Sequence, residues 1–228
     1  MVRKKKEPAK TVRKRLVVID DHGLIRRGLI SMINNEPDLE VCAEADTLQG
    51  GLKALTSAQP DMATVDLHLG DCDGLELIKD IRKRLPSLPV LVISMHDEAV
   101  YAERAFRAGA RGYVTKQQAS ETVLAAIRRV LAGGRYMSPA MQERFAQHYA
   151  GGHTHIKESP VASLSDREIE VFRLIGEGKV NRQMAEQLTL SVKTIETYRE
   201  HLKSKLNLQT SGALARSAAL WVSTGNIG

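Results

Sequence analysis

The sequence predicts a doubly wound α/β fold with five parallel strands, followed by a second, all-α domain. From Leu16 to about residue 133, five short apolar runs alternate with stretches of helical periodicity. Strands that alternate with helices form a parallel sheet with helices on both faces. Beyond residue 160 only helical patterns remain, and the length of 228 residues suits two domains of ordinary size.

The five apolar runs are the predicted strands, and helical spacing is visible between several of them. The runs are Leu16–Ile19, Leu39–Ala43, Met62–Val65, Val90–Ile93 and Gly112–Thr115. Apolar residues repeat at helical spacing after the first, third and fifth runs, and we expect them to face the core. They are Leu24, Leu29 and Met32, then Leu75, Ile78 and Ile81, and then Val123, Leu124, Ile127 and Leu131.

After the sheet domain, Gly133-Gly134 ends the last helix, because glycine favours the left-handed cap of a helix. The segment 133–160 is linker-like in composition, with a short helix possible over 139–149. The helical domain begins with a capping box between Ser165 and Glu168. Its helices are predicted over 166–176, 181–188, 192–207 and 210–222. The predicted organisation is an N-terminal arm (1–15), a sheet domain (16–132), a linker (133–160) and a helical domain (161–228).

The composition is that of a soluble globular protein, with 43% apolar and 26% charged residues. Residues 1–15 contain eight lysines and arginines against one glutamate, which makes a basic arm able to attract phosphates without sequence preference. No apolar stretch is long enough for a secretory signal or a membrane span. Cys42 and Cys72 lack metal-binding spacing, so we expect reduced thiols in a cytoplasmic protein with no membrane partner.

Polar residues follow four of the predicted strands. Asp20 and Asp21 follow the first, Asp66 the third, Ser94 the fourth and Lys116 the fifth. The carboxyl ends of parallel strands meet at one edge of a sheet, where open α/β folds bind their ligands. A lysine and a hydroxyl suit the peripheral oxygens of a phosphoryl group, whose charge grows during transfer. The sequence therefore predicts a phosphate and metal site at this edge.

Three neighbouring carboxylates repel one another and resist joint ionisation, and a divalent cation removes the conflict. Few oxygen ligands, with room for water and a phosphate, suit Mg²⁺ better than Ca²⁺. The predicted magnesium site comprises Asp20, Asp21, Asp66 and His68. Asp66 is also the predicted nucleophile, because it stands alone on its strand and begins a polar loop. A zinc site at His22 and His68 is the weaker alternative, since no paired histidine spacing supports it.

Residues 16–132 resemble the receiver domain of two-component response regulators, which has a flavodoxin-like sheet with strand order 2-1-3-4-5. The resemblance implies that Asp66 accepts a phosphoryl group from a histidine kinase, that Ser94 and Lys116 contact it, and that Tyr113 is the aromatic residue that moves on switching. Glycine replaces the family's usual proline at two positions, Gly23 and Gly70. The matching residues are Asp20, Asp21, Asp66, Asp73-Gly74, Ser94, Tyr113 and Lys116.

The helical domain carries a second resemblance. In helix 192–207, Ile195, Leu202 and Leu206 form an apolar stripe beside Tyr198, and the opposite face is polar. A three-residue turn, 189–191, joins this helix to the preceding one, as in a helix-turn-helix. With L-S-D-R-E at 164–168, N-R-Q-M-A-E at 181–186 and S-V-K-T-I-E-T-Y-R at 191–199, residues 163–222 resemble the DNA-binding domain of LuxR/FixJ-type (NarL-type) regulators.

This second resemblance implies that helix 192–207 enters the major groove of double-stranded DNA. The predicted base contacts are Lys193, Thr194, Thr197 and Arg199, and the predicted phosphate contacts are Arg182, Lys203 and Lys205. Glu196 and Glu200 also lie on the polar face, where glutamate can accept a hydrogen bond from cytosine N4. In helix 210–222, Leu214, Ala218 and Trp221 either form a dimer seam or pack under helix 192–207.

Together these patterns predict a transcription factor controlled by phosphorylation. A histidine kinase phosphorylates Asp66, and the phosphorylated homodimer binds duplex DNA. Two alternatives stay open: a phosphohydrolase with an aspartate nucleophile, and a DNA-binding regulator that does not depend on phosphorylation. We do not expect an enzyme, because His68 occupies the position, two residues after the nucleophile, where a hydrolase needs an acid.

Overall fold

The computed structural model describes residues 12–70, 72–95, 98–150 and 160–224. It divides into two compact units, residues 1–145 and 146–228. Most of the predicted basic arm, and residues 151–159 of the predicted linker, lie outside the described residues. In the described part of the chain, no helix is both long and apolar enough to cross a membrane.

The first unit is built on a five-stranded parallel sheet. The strands in chain order are β1 (Lys14–Ile19), β2 (Leu39–Ala45), β3 (Met62–Val65), β4 (His68–Leu69), β5 (Cys72–Asp73), β6 (Val90–Ser94) and β7 (Gly112–Thr115). The sheet has the order β2-β1-β3-β6-β7 with every pair parallel, and β4 and β5 form a separate antiparallel hairpin. The predicted fold class and strand order are therefore confirmed. The short β4–β5 hairpin was not predicted.

Among the described residues, five helices lie within the first unit: α1 (Gly23–Asn34), α2 (Leu48–Ala58), α3 (Gly74–Arg84), α4 (Glu98–Ala108) and α5 (Ser120–Leu131). The next helix, α6 (Pro139–Ala150), includes residues on both sides of the boundary at residue 145. Alternate residues of β1 serve opposite faces of the sheet. Leu16 and Val18 join Ile33 of α1 and Ile127 of α5 in one buried cluster. On the other face Ile19 lies against α2. Because both faces are covered, the central strands are apolar over most of their length.

The prediction that Leu24 of α1 faces the core is wrong. Leu24 is 79% exposed, whereas Ile33 is fully buried and Leu29 packs against the core cluster. Leu24 and Leu29 are five residues apart, which separates them by roughly 140° around an α-helix. They therefore cannot share a face. The predicted core residues of α3, Leu75, Ile78 and Ile81, are confirmed as buried.

β1 begins at Lys14, two residues earlier than predicted, because the carboxylate of Asp61 holds the strand start. Asp61 accepts hydrogen bonds from the backbone N–H of Arg15 (2.9 Å) and from Nζ of Lys14 (2.8 Å). Both hydrogen bonds lower the pKa of Asp61, and the one from Arg15 has the larger effect. Two residues of the predicted basic arm are thus part of the sheet.

The start of the predicted linker is also hydrogen-bonded to the sheet. Tyr136 forms a parallel bridge with Gly112, its N–H donates to the carbonyl of Arg111 (3.0 Å), and its carbonyl accepts the N–H of Tyr113 (3.2 Å). Two residues later, the N–H of Ser138 donates to Oε1 of Glu98 at 2.9 Å. Burial, and secondarily the charge of Glu98, raises the pKa of Tyr136. This segment therefore follows the edge of β7.

The second unit contains a short 3-10 helix (Pro160–Ser163) and the helices α7 (Asp166–Gly176), α8 (Asn181–Leu188), α9 (Val192–Lys205) and α10 (Ser211–Thr224). The predicted capping box is confirmed. Oγ of Ser165 accepts the N–H of Glu168 at 3.3 Å, and Oε2 of Glu168 accepts the N–H of Ser165 at 2.7 Å. The apolar stripe of α9 is confirmed as well, with Ile195 and Leu202 fully buried.

The suggested dimer seam on α10 is wrong. Leu214, Ala218 and Trp221 are all buried within the second unit. The Trp221 ring lies 5.4 Å, centroid to centroid, from that of Phe172 in α7. The alternative, that these residues pack under helix 192–207, is correct in placing them inside the domain, but the ring of Trp221 contacts α7. A seam needs exposed residues, and these are not exposed.

Candidate functional site

The ends of β1, β3 and β7 bring Asp20, Asp66 and Lys116 into contact. Nζ of Lys116 lies 2.7 Å from Oδ2 of Asp20 and 2.7 Å from Oδ2 of Asp66. All three side chains are only 2% exposed. Two carboxylates therefore share one ammonium group away from water, where an unpaired charge is costly. This is the meeting of strand-end residues that parallel strands predict.

The backbone at Asp66 is held by β1 and by the start of α3. The N–H of Asp66 donates to the carbonyl of Ile19 at 2.9 Å, and the N–H of Gly74 donates to the carbonyl of Leu67 at 2.9 Å. A Cβ atom on Gly74 would lie 2.2 Å from the carbonyl oxygen of Asp66 and 2.7 Å from Cα of Leu67. Only glycine can lie this close to the backbone of residues 66 and 67. This explains why glycine follows Asp73.

Asp21 is fixed by the β4–β5 hairpin. Its Oδ2 accepts the backbone N–H of Gly70 at 2.8 Å. Gly70 has a φ of 63°, which glycine adopts without strain. Proline, usual at this position in receiver domains, has no N–H and a φ near −65°, so it could provide neither feature. Glycine at position 70 therefore adds a hydrogen bond to a predicted metal ligand.

His22 completes the cluster. Its Nδ1 lies 2.7 Å from Oδ1 of Asp21, 3.4 Å from Oδ1 of Asp20 and 3.6 Å from Oδ2 of Asp66. One potential ligand atom from each of these four residues lies within 4.8 Å of the others. The imidazole of His68, predicted as a metal ligand, is not in this group, and its ring centroid lies 6.3 Å from that of His22.

The cluster fits a divalent cation. Oδ1 of Asp66 is buried and has no hydrogen-bond partner among the described residues. A buried carboxylate oxygen without a donor costs free energy, and a cation would remove that cost. Three carboxylates within reach of one point provide the hard oxygen ligands that Mg²⁺ prefers.

Ser94 and Tyr113, the two other predicted site residues, are both buried. Ser94 is the last residue of β6, is fully buried, and its carbonyl accepts the backbone N–H of Lys116 at 2.7 Å. Tyr113 is 1% exposed in β7. Its N–H is the one that binds the carbonyl of Tyr136. The switch residue predicted by resemblance is thus bonded directly to the start of the linker.

In the second unit, α8 and α9 are joined by a tight turn. Thr189 ends α8 in the left-handed conformation, with a φ of 55°. Ser191 caps α9: its Oγ accepts the N–H of Thr194 at 3.0 Å and lies 2.8 Å from the Thr194 hydroxyl. The Thr197 hydroxyl donates to the carbonyl of Lys193 at 3.1 Å. The hydroxyls of both predicted base-contacting threonines therefore bond within their own helix.

The basic residues of α8 and α9 differ in how close they lie to neighbouring carboxylates. Lys193 is 86% exposed, with Nζ 3.6 Å from Oε2 of Glu196. Nε of Arg182 lies 3.2 Å from Oε1 of Glu186, and Nζ of Lys203 lies 2.9 Å from Oε2 of Glu200. The predicted base contact Arg199 is half-buried in α9.

Lys205 is bound to a buried carboxylate. Its Nζ lies 2.7 Å from Oε2 of Glu168, whose side chain is buried. Burial opposes ionisation of this carboxyl, but the hydrogen bonds from Lys205 and from Ser165 outweigh it, so the pKa of Glu168 is lowered. The amino group predicted to contact phosphate thus has a partner within the domain. The contact between Lys205 and Glu168 could not be predicted from the sequence, because a basic residue near the end of a helix does not indicate which carboxylate it binds.

Comparison with known proteins agrees with both resemblances. Residues 16–128 match the family model described as "Response regulator receiver domain", and residues 162–218 match "Bacterial regulatory proteins, luxR family". The geometry and these matches define the class: a two-domain signalling protein with a receiver sheet and a helix-turn-helix. The chain belongs to the two-component response regulators that combine a receiver domain with a LuxR-type DNA-binding domain.

Relatives and solved structures support this assignment over most of the chain. The response regulator GacA of Pseudomonas aeruginosa is 33% identical over 88% of this chain and 93% of its own length. The DNA-binding transcriptional activator DevR/DosR of Mycobacterium tuberculosis is 31% identical over 86% and 89%. A LuxR-family response regulator from Aurantimonas, 33% identical, covers 60% of this chain and 99% of its own, with a TM-score of 0.57. Of these relatives, DevR/DosR is by name a DNA-binding transcriptional activator.

Proposed function

We propose that phosphorylation of Asp66 switches this regulator. The observation that carries the proposal is the asymmetry of the Asp66 carboxylate. Lys116 holds Oδ2 at 2.7 Å, whereas the buried Oδ1 has no hydrogen-bond partner among the described residues. Oδ1 is thus available to attack a phosphorus atom, while Lys116 orients the carboxyl group and neutralises part of its charge.

The proposed phosphoryl donor is a histidine kinase. Oδ1 of Asp66 attacks the phosphorus of a phosphohistidine, so that an O–P bond forms and the P–N bond breaks. The imidazole nitrogen leaves with the electron pair and takes a proton from water. Charge grows on the peripheral phosphoryl oxygens during this step, and the Lys116 ammonium and the Ser94 hydroxyl are the groups proposed to bind them.

Magnesium is the proposed cofactor. Bound at Asp20, Asp21 and Asp66, with His68 nearby, Mg²⁺ would add positive charge beside the transferred group. The support is the group of clustered ligand atoms from the three carboxylates. The hydrogen bond from Gly70 to Asp21 would orient one of these carboxylates before the cation binds.

The proposed switch passes from Asp66 to the linker through β7. Ser94 and Lys116 are joined by a backbone hydrogen bond, and Tyr113 is joined in the same way to Tyr136. If Ser94 and Lys116 turn toward a phosphorylated Asp66 and Tyr113 fills the space left behind, the contacts of residues 136–138 would be strained. Complete switching from 1:99 to 99:1 needs about 5.5 kcal/mol of differential stabilisation.

The proposed output is binding of a homodimer to duplex DNA. Helix α9 would lie in the major groove, with Lys193, Thr194, Thr197 and Arg199 toward the bases. Arg182, Lys203 and Lys205 are the proposed phosphate contacts, and Lys205 would have to release Glu168 to reach one. The support is the exposed polar face of α9 behind a confirmed helix-turn-helix, together with a relative that is itself a DNA-binding activator. We propose cytoplasmic action, as for a soluble regulator.

Phosphoryl transfer to Asp66 is tested with a small donor. The full chain is incubated with acetyl phosphate and Mg²⁺, and the phosphorylated fraction is separated on phosphate-affinity gels. We expect the wild type to be phosphorylated and Asp66→Asn to be unmodified. Asp38→Asn, which removes a surface carboxylate paired with Arg128, is the matched control. Equal labelling of wild type and Asp66→Asn would exclude the proposed acceptor.

The same preparation separates this proposal from its two rivals. A phosphohydrolase would release many equivalents of phosphate per chain from phosphate monoesters, whereas a phosphorylated regulator separated from its donor releases at most the one equivalent that it carries. A regulator independent of phosphorylation would bind DNA equally before and after treatment. We do not propose a phosphohydrolase, because a hydrolase needs an acid two residues after Asp66, where His68 stands. We do not propose a regulator independent of phosphorylation, because Lys116 contacts both Asp20 and Asp66 at the site.

A further inference from the structure

We propose that Glu196 is a specificity-determining residue that accepts a hydrogen bond from the N4 amino group of cytosine. The inference rests on the proposed DNA binding by α9 and names the base that the helix selects. The sequence left Glu196 and Glu200 as equal candidates for a cytosine contact, and the structure distinguishes between them. The polar groups of α9 differ in how much hydrogen-bonding capacity they have left for a base.

The hydroxyl groups on the predicted reading face are engaged with their own helix. Thr194 lies 2.8 Å from the Ser191 hydroxyl in the N-cap, and Thr197 donates to the carbonyl of Lys193. Hydroxyls bonded to nearby backbone have less capacity to read a base edge. Base selection by α9 therefore falls on its charged side chains.

Three charged residues lie on the exposed side of α9 between residues 192 and 200: Lys193, Glu196 and Glu200. Recognition helices contact bases through their N-terminal residues, which favours Lys193 and Glu196. Glu196 is 50% exposed and its carboxylate is 3.6 Å from Nζ of Lys193, beyond hydrogen-bond distance. Glu200 lies one turn later and is 2.9 Å from Nζ of Lys203. Glu196 is the carboxylate that can exchange its partner most easily.

The chemistry of the major groove then selects the base. An ionised carboxylate only accepts hydrogen bonds. Guanine presents N7 and O6 and thymine presents O4, all of them acceptors, so these edges repel it. Adenine has one donor beside the N7 acceptor, whereas cytosine offers the N4 donor alone. Cytosine is therefore the base that suits the carboxylate at position 196 best.

The neighbouring Lys193 fits this assignment. Its ammonium group partly neutralises Glu196 in the free protein and would reduce repulsion between the carboxylate and DNA phosphates. Lysine binds guanine O6 and N7, so the pair suits a site in which a guanine contact adjoins a cytosine contact. A carboxylate without this lysine would mainly weaken binding.

The test uses the full chain saturated with beryllofluoride and a pool of random duplexes. We expect the wild type to enrich a motif with cytosine at one position of each half-site. Glutamine pairs with adenine N6 and N7, so Glu196→Gln should change that cytosine to adenine and leave the other positions unchanged. Glu200→Gln, on the same side of the same helix, is the matched control and should keep the cytosine.

A second measurement removes the donor from the DNA. Replacing the selected cytosine by 2-pyrimidinone deletes the N4 amino group. We expect wild-type binding to weaken about fivefold or more, and binding by Glu196→Gln to change little. Unchanged Trp221 fluorescence in each variant shows that the second unit is folded.

The outcomes are distinguishable. If the wild type enriches no motif, the proposed DNA binding itself fails. If it enriches a motif that Glu196→Gln retains, DNA binding stands and the assignment of Glu196 is overturned. If Glu196→Gln strengthens binding equally to all duplexes, Glu196 only repels phosphates, and the assignment is likewise overturned.

Discussion

Replacing Gly74 by alanine tests how closely the phosphoacceptor loop is packed. The added Cβ would lie 2.2 Å from the carbonyl oxygen of Asp66, 2.7 Å from Cα of Leu67 and 3.0 Å from its carbonyl carbon. Both neighbours are backbone, so no side-chain rotation relieves the contact, and the start of α3 must separate from the loop by about 1 Å. Overpacking typically costs about 1–3 kcal/mol, and we expect the upper end here.

Gly28→Ala is the matched control. Gly28 lies inside α1, and its added Cβ would meet nothing within 4 Å. Alanine is more favourable than glycine within a helix by about 0.5–1 kcal/mol. The same chemical change is therefore expected to stabilise the first unit at position 28 and to destabilise it at position 74.

Urea denaturation of the full chain measures both effects. Far-ultraviolet circular dichroism follows both units, whereas tryptophan fluorescence follows only the second, because Trp221 is the single tryptophan. We expect Gly74→Ala to shift the dichroism transition to lower urea without moving the fluorescence transition, and to slow phosphorylation by acetyl phosphate. A change below roughly 0.5 kcal/mol would refute the reasoning from close packing.

Three further predictions concern both units. Lys116→Met should destabilise the first unit by about 3–5 kcal/mol, measured by circular dichroism, because it leaves the buried carboxylates of Asp20 and Asp66 without their cation; a loss under about 1 kcal/mol would contradict this. Thr189→Asn should stabilise the second unit by about 0.5–1 kcal/mol, since a β-branched residue is strained at a φ of 55°; tryptophan fluorescence in urea measures it, and a loss of stability would count against the turn geometry. Glu168 has a lowered pKa, so its contribution to stability is present above its unfolded pKa, roughly 4.3, and is lost as pH falls through the lower folded value. Glu168→Gln should therefore give a shallower loss of second-unit stability in acid than the wild type, and parallel curves would argue against the shift.

Sequence patterns predicted those features that the geometry of parallel strands dictates. Strands covered on both faces must be apolar throughout, so their ends mark where polar residues collect. Asp20, Asp66 and Lys116 follow three such strands in the sequence, and the contact distances between their side chains agree with the predicted meeting at one edge. Apolar spacing at 3.6 residues also predicted the buried stripe of α9.

Other features could not be predicted because they depend on tertiary contacts. His22 joins the carboxylate cluster through a side-chain direction that depends on the start of α1. The N–H of Gly70 reaches Asp21 only because a hairpin forms between residues 68 and 73. Leu24 looked like a core residue because leucine is apolar, but its angular position on α1 turns it outward. Trp221 could be assigned to a seam or to the interior only once the position of α7 was known.

The central claim is that phosphorylation of Asp66 governs DNA binding, and one titration tests it most directly. A duplex selected from the random pool is labelled and titrated with the full chain, with and without beryllofluoride, and its fluorescence anisotropy is followed. The account predicts that beryllofluoride tightens wild-type binding at least about tenfold, or roughly 1.4 kcal/mol, and leaves Asp66→Asn unchanged. Equal affinity with and without beryllofluoride, or the same gain in Asp66→Asn, would contradict it.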